Sequence, residues 1–153
     1  MSIMWQYLDK VKATEKAVRD YGAMKDIIEH TDERIRLIHE KMVGLGSSSL
    51  SDMPKGPHNP QAGEERLLKG IDEIDVQKER YRQAVEYMAW FKPAWKSLTD
   101  DERICLEAFY WGDDGSQAGA VYSLCNYFGI ERSSVYNKKN RALSKLSLLL
   151  YGK

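Results

Sequence analysis

Apolar or small residues recur at spacings of three and four along the first third of the chain: Tyr7, Val11, Thr14, Val18, Tyr21, Met24, Ile28, Thr31, Ile35, Ile38, Met42 and Leu45. A row with this spacing is the narrow seam of a coiled coil or long helical hairpin. No proline interrupts it, so one helix is predicted over residues 3–43. Gly22 is a place for a bend, and Thr31-Asp32-Glu33 can cap a restart if the helix breaks there. A second row, Leu67, Ile71, Ile74, Tyr81, Val85 and Met88, predicts a helix over 64–92. It is expected to end ahead of Pro93, because proline lacks the amide donor and disfavours helical geometry in the residue before it.

Residues 44–63 hold four Gly, three Pro and four Ser, and read as a flexible linker. A first helix of some forty residues would be about 60 Å long. A parallel second helix would demand nearly the full reach of the linker, about 70 Å, whereas a flexible twenty-residue chain typically spans about 25 Å. An antiparallel hairpin is therefore expected over 1–97. Trp90, Phe91 and Trp95 around Pro93 are read as a hydrophobic joint between this hairpin and the next segment.

From Leu98 the pattern shortens, and a second domain is expected over 98–153. Thr99 with Glu102 three residues on forms a capping box, predicting a helix over 100–111. The Gly112–Ser116 cluster is a turn. A short helix follows over 117–128, with Val121, Leu124, Cys125 and Phe128 inward. Gly129 stops it through a left-handed turn, Ile130 is a buried anchor, and a last helix runs from about Ser133 to Tyr151. With Val135 inward, Ala142, Leu146 and Leu149 lie within about 40° of it at 100° per residue. Ser133, Asn137, Asn140 and Ser144 face outward, flanked by Tyr136 and Arg141, and that face carries no acid. Lys138, Lys139 and Lys145 lie nearer the edges of the apolar stripe, where long side chains can reach phosphates. A short helix, a Gly turn and a longer helix make a helix-turn-helix.

The charge of the 153-residue chain balances at 23 Lys+Arg against 23 Asp+Glu, which excludes indiscriminate coating of nucleic acid. Resolved along the chain the balance separates: Asp100–Asp114 carries net −5 and Glu131–Lys153 net +5. A basic helix that starts with hydroxyl and amide side chains suits major-groove reading.

Other chemistry finds little footing. No apolar stretch approaches the ~20 residues of a membrane span, and the N-terminus has no signal-peptide pattern, so a cytoplasmic protein without membrane contact is expected. Cys105 and Cys125 read as small apolar side chains. His30, His39 and His58 lack metal-ligand spacing, Asp113-Asp114-Gly115 lacks the alternating carboxylates of a calcium loop, and Gly44-Leu45-Gly46 lacks a preceding strand. Neither cofactor, metal site nor catalytic residue is expected, and the chain does not read as an enzyme.

The residues Leu98-Thr99-Asp100-Asp101-Glu102-Arg103-Ile104-Cys105-Leu106, Leu124-Cys125, Phe128-Gly129-Ile130, Ser134-Val135 and Arg141-Ala142-Leu143-Ser144-Lys145-Leu146 resemble region 4 of bacterial sigma factors. With the long helical region ahead of it, the whole chain is similar to the small phage-encoded regulators of the ArpU and RinA type. The resemblance implies activation of late phage genes, with recognition carried by Arg132, Ser133, Ser134, Tyr136, Asn137 and Arg141. The sequence departs from the sigma pattern at Ser123, where Glu is usual, and in the Ser- and Tyr-rich start of the last helix.

The expected architecture is thus all-α, a long antiparallel N-terminal helical hairpin followed by a C-terminal helix-turn-helix domain. The expected function is sequence-specific binding of double-stranded DNA in transcription regulation. The expected DNA-contacting set is Arg132, Ser133, Ser134, Tyr136, Asn137, Lys138, Lys139, Asn140, Arg141, Ser144 and Lys145, with homodimerisation through the hairpin. Two alternatives use the same helices: a small terminase-like packaging subunit, and an interaction module that binds RNA polymerase without touching DNA.

Overall fold

The computed structural model describes residues 3–44, 60–112 and 116–152, all helical or in short turns, with no strand among them. A short 3-10 helix, Ile3–Tyr7, precedes five α-helices: α1 (Lys10–Gly44), α2 (Pro60–Lys96), α3 (Asp100–Tyr110), α4 (Gln117–Phe128) and α5 (Arg132–Tyr151). The protein is all-α. Two compact units divide the chain: Met1–Ala23 with Tyr87–Lys153, and Met24–Glu86. The expected division at residue 97 falls between α2 and α3, whereas each long helix contributes a segment to both units.

Three helix limits differ from those expected. The first helix does not run unbroken from Ile3, because the Asp9 carboxylate accepts from the Lys12 amide at 3.1 Å and starts α1 afresh. Tyr7 and Val11, expected in the seam, are 82% and 44% exposed. Beyond this start α1 is continuous through Gly22 and Thr31. Thr31 is buried and donates its hydroxyl to the Ile27 carbonyl, so its polar group is satisfied inside the helix and caps no restart.

The second helix begins at Pro60, so 60–63 is helix rather than linker, and it passes through Pro93 to Lys96. Pro93 is exposed, while Phe91 and Ala94 on either side of it are buried. Packing of those neighbours holds the last turn despite the missing donor, and the Ser97 amide and hydroxyl both donate to the Pro93 carbonyl. The rest of the expected linker, 45–59, lies outside the described residues, as do Asp113–Gly115.

In the Met24–Glu86 unit, Met24, Ile28, Thr31, Ile35, Ile38 and Met42 of α1 are buried or half-buried as their spacing predicts. On α2 the buried positions are Gly70, Ile74 and Ala84. Leu67, Ile71, Tyr81 and Val85, expected in the seam, are instead 40–49% exposed. Small residues decide the matter: a Cβ on Gly70 would sit 2.5 Å from the Met42 sulfur, so the glycine admits the methionine where a larger residue would not.

The other unit has two cores. One joins Ala17 and Val18 of α1, Phe91 and Ala94 of α2, Leu98, Leu106 of α3 and Ala142, Leu143, Leu146 and Leu150 of α5. Around it the rings of Tyr21 and Trp111 stack at 4.7 Å, Tyr87 and Phe91 at 5.2 Å and Phe91 and Trp95 at 5.6 Å. The aromatic groups that carry polar hydrogens also find partners: Trp111 Nε1 donates to the Val18 carbonyl at 2.7 Å and Trp90 Nε1 to the Leu150 carbonyl at 3.2 Å. The residues around Pro93 therefore join the long helices to α3 and α5, as expected of a joint. The second core, Cys105, Val121, Leu124 and Val135, holds α3, α4 and α5 together.

Candidate nucleic-acid interface

Local sequence builds the segment from α3 to α5. Thr99 accepts from the Glu102 amide at 3.3 Å while Glu102 accepts from the Thr99 amide at 3.0 Å, completing the capping box. Ser116 caps α4 through the Gly119 amide. Gly129 takes φ 64°, and its amide donates to the Cys125 carbonyl. Ile130 behind it is half-buried against the second core, less enclosed than expected. Cys105 and Cys125 are both free thiols, and burial pushes the Cys105 thiol up despite the pull of Lys138 and Lys139.

α5 is anchored from end to end, with Val135, Ala142 and Leu146 fully buried and Leu143, Ser147 and Leu150 nearly so. Leu149 is the exception among the residues expected inward, at 45% exposed. The helix faces α3 and α4 with its first half and the Val18–Phe91 core with its second, which rotates the buried arc away from Leu149 towards Leu143, Ser147 and Leu150.

The outward face emerges as the spacing predicts. Arg132, Ser133, Asn137, Asn140, Arg141, Ser144 and Lys145 are exposed, and Ser134, Tyr136, Lys138 and Lys139 are half-buried. Asn137, Asn140, Arg141 and Ser144 line one open depression along the helix. Arg141 Nε donates to the Asn137 carbonyl at 3.4 Å, which lays the guanidinium along the helix surface. Arg132 lies 5.9 Å from the centre of the Tyr136 ring. Amides and hydroxyls beside guanidinium groups can donate to and accept from base edges, and the same groups can bond phosphate oxygens.

The three lysines of the expected set are engaged within the protein. Lys138 Nζ is 3.8 Å from the Asp101 carboxylate and 4.5 Å from the centre of the Phe128 ring. Lys145 Nζ is 3.1 Å from the Glu102 carboxylate. Lys139 lies over Phe109 at 5.0 Å. Burial opposes ionisation of Glu102, but the Thr99 amide and Lys145 outweigh it and hold the carboxyl below the ordinary glutamate range. The acidic α3 and basic α5, separated in sequence, thus partly neutralise each other in space.

Sequence spacing missed these pairs, since nothing local links Glu102 to Lys145. It also passed over Tyr122 and Tyr127, which are 71% and 64% exposed on α4 and fall off that helix's inward set. Among the described residues no group of three or more His, Cys, Asp or Glu is placed to hold a metal ion, and no helix is long and apolar enough to cross a membrane. The chain matches no protein-family model, no curated protein and no solved structure.

Proposed function

We propose that this protein is a non-enzymatic, sequence-specific DNA-binding regulator of transcription that lays α5 in the major groove. The observation that carries the reading is the outward face of α5: Ser133, Asn137, Asn140, Arg141 and Ser144 are exposed together, without an acid, on a helix fixed by six buried or nearly buried side chains. A recognition helix must hold its base-reading groups rigidly, because each hydrogen bond is lost with small displacements. α4, the Gly129 turn and α5 form the helix-turn-helix of this reading, and Arg132, Tyr136 and the lysines border the contact. The resemblance to sigma region 4 and to ArpU- and RinA-type regulators supports phage or prophage late genes as the target. Two copies joined through the long helices would raise the effective concentration of each recognition helix.

Selection of the full-length protein on random duplex DNA tests this. An enriched motif is expected, and Asn137→Ala with Arg141→Ala should weaken binding to it by about 10- to 100-fold, corresponding to one or two base contacts. Failure to enrich any motif, with no binding at low salt, would overturn the reading.

A further inference from the structure

The polar groups of α5 divide into those the protein uses and those it leaves open. Lys138, Lys139 and Lys145 are turned to Asp101, Phe109 and Glu102. The side-chain amides of Asn137 and Asn140 bond no described residue, and Arg141 commits only Nε, to the Asn137 carbonyl, so that both its Nη groups stay open. These three side chains and Ser144 line the same depression. At about 100° per residue Asn137 and Arg141 stand about 40° apart, and Asn140 about 60° to the other side of Asn137. The backbone beneath them is fixed by the fully buried Val135, Ala142 and Leu146. Open hydrogen-bonding groups are thus presented at set positions.

We infer that this depression reads purines, with adenine against each of Asn137 and Asn140 and guanine against Arg141. The inference rests on the DNA-binding reading above and names the bases that such a helix selects. Adenine offers its N7 as an acceptor and its N6 amino group as a donor, the complement of a side-chain amide, whose NH2 donates while its oxygen accepts. Guanine offers two acceptors, N7 and O6, the complement of two guanidinium N–H groups. Cytosine is selected by a carboxylate that accepts from its N4 amino group, and thymine by apolar contact with its methyl group. Between Ser133 and Ser144 the sequence holds no acid, and its aliphatic residues, Val135, Ala142 and Leu143, are all buried. The lining therefore has partners for both purines and none that selects a pyrimidine. From Asn137 to Ser144 the helix rises about 10.5 Å, or about three duplex steps of roughly 3.4 Å, so the contacts fall within about four base pairs. Asn137 and Arg141, side by side and joined by their hydrogen bond, take adjacent bases on one strand.

Selection of the full-length protein on random duplex DNA, followed by base-analogue substitution in the recovered site, tests it. The enriched core should hold an adenine next to a guanine on one strand and a second A·T pair, all within about four base pairs. Replacing the first adenine by 7-deazaadenine, which keeps Watson–Crick pairing and loses the N7 acceptor, should weaken wild-type binding by about 5-fold or more. Asn137→Ala should bind the two duplexes alike. The analogue at the second adenine should be silent only in Asn140→Ala, and 7-deazaguanine at the guanine only in Arg141→Ala. All three positions are exposed, and circular dichroism checks that each variant stays helical. An enriched core without the adenine-guanine step, or analogue penalties that persist in the matching alanine variants, would overturn the inference while leaving a sequence-specific regulator in place. Failure to enrich any motif would overturn both.

Discussion

Glu102 shows how one side chain serves two levels of structure. Its carboxylate accepts from the Thr99 amide, which starts α3, and from Lys145, which ties α3 to α5. Because these partners hold its folded value below the ordinary 4.5, its contribution is fully present above that pH and is lost as the pH falls through the lower folded value. Glu102→Gln keeps an acceptor for the Thr99 amide but removes the titration. The variant should therefore lose less stability than the wild type between about pH 5 and pH 3, measured by urea unfolding at each pH. The capping box was legible because it is encoded within four residues. The Lys145 contact was not, because it joins positions 43 apart in sequence.

At the scale of the element, α2 shows where periodicity stops being sufficient. Of the predicted seam, Ile74 and Met88 are buried, but Leu67, Ile71, Tyr81 and Val85 are exposed, and the small residues Gly70 and Ala84 are buried in their place. Hydrophobicity alone favours the larger side chains, whereas close helix packing favours whichever face is small enough to admit a partner such as Met42. Pro93 makes a related point, since its local preference to end the helix loses to burial of Phe91 and Ala94. Pro93→Ala supplies the missing donor at an exposed position and should raise stability by about 2 kcal/mol, part of the roughly 3 kcal/mol that separates proline from alanine in a helix interior. A denaturant midpoint that does not rise would show that the last turn carries no such cost. α1 needed no such correction between Thr14 and Met42, because there the apolar row and the buried row coincide.

For the molecule as a whole, the zero net charge conceals a local arrangement in which acids on α3 oppose the lysines of α5. This limits the phosphate-binding charge available to the proposed DNA contact. Asp101→Asn with Glu102→Gln should release Lys138 and Lys145, tighten DNA binding at low salt and steepen the log-log salt dependence by about 0.9 for each lysine that then meets a phosphate. Salt titration on a selected duplex measures this, and an unchanged slope would mean that neither lysine reaches the backbone. The sequence by itself determined the all-helical class, the α3 cap, the Gly129 turn and the acid-free outer face of α5, because each is fixed by residues a few positions apart. Only the tertiary structure decided which face of α2 is covered, why Leu149 is exposed while Leu150 is buried, and which lysines remain available. Those outcomes depend on side chains brought together from distant parts of the chain, where size and charge must fit in three dimensions and no local spacing records the partner.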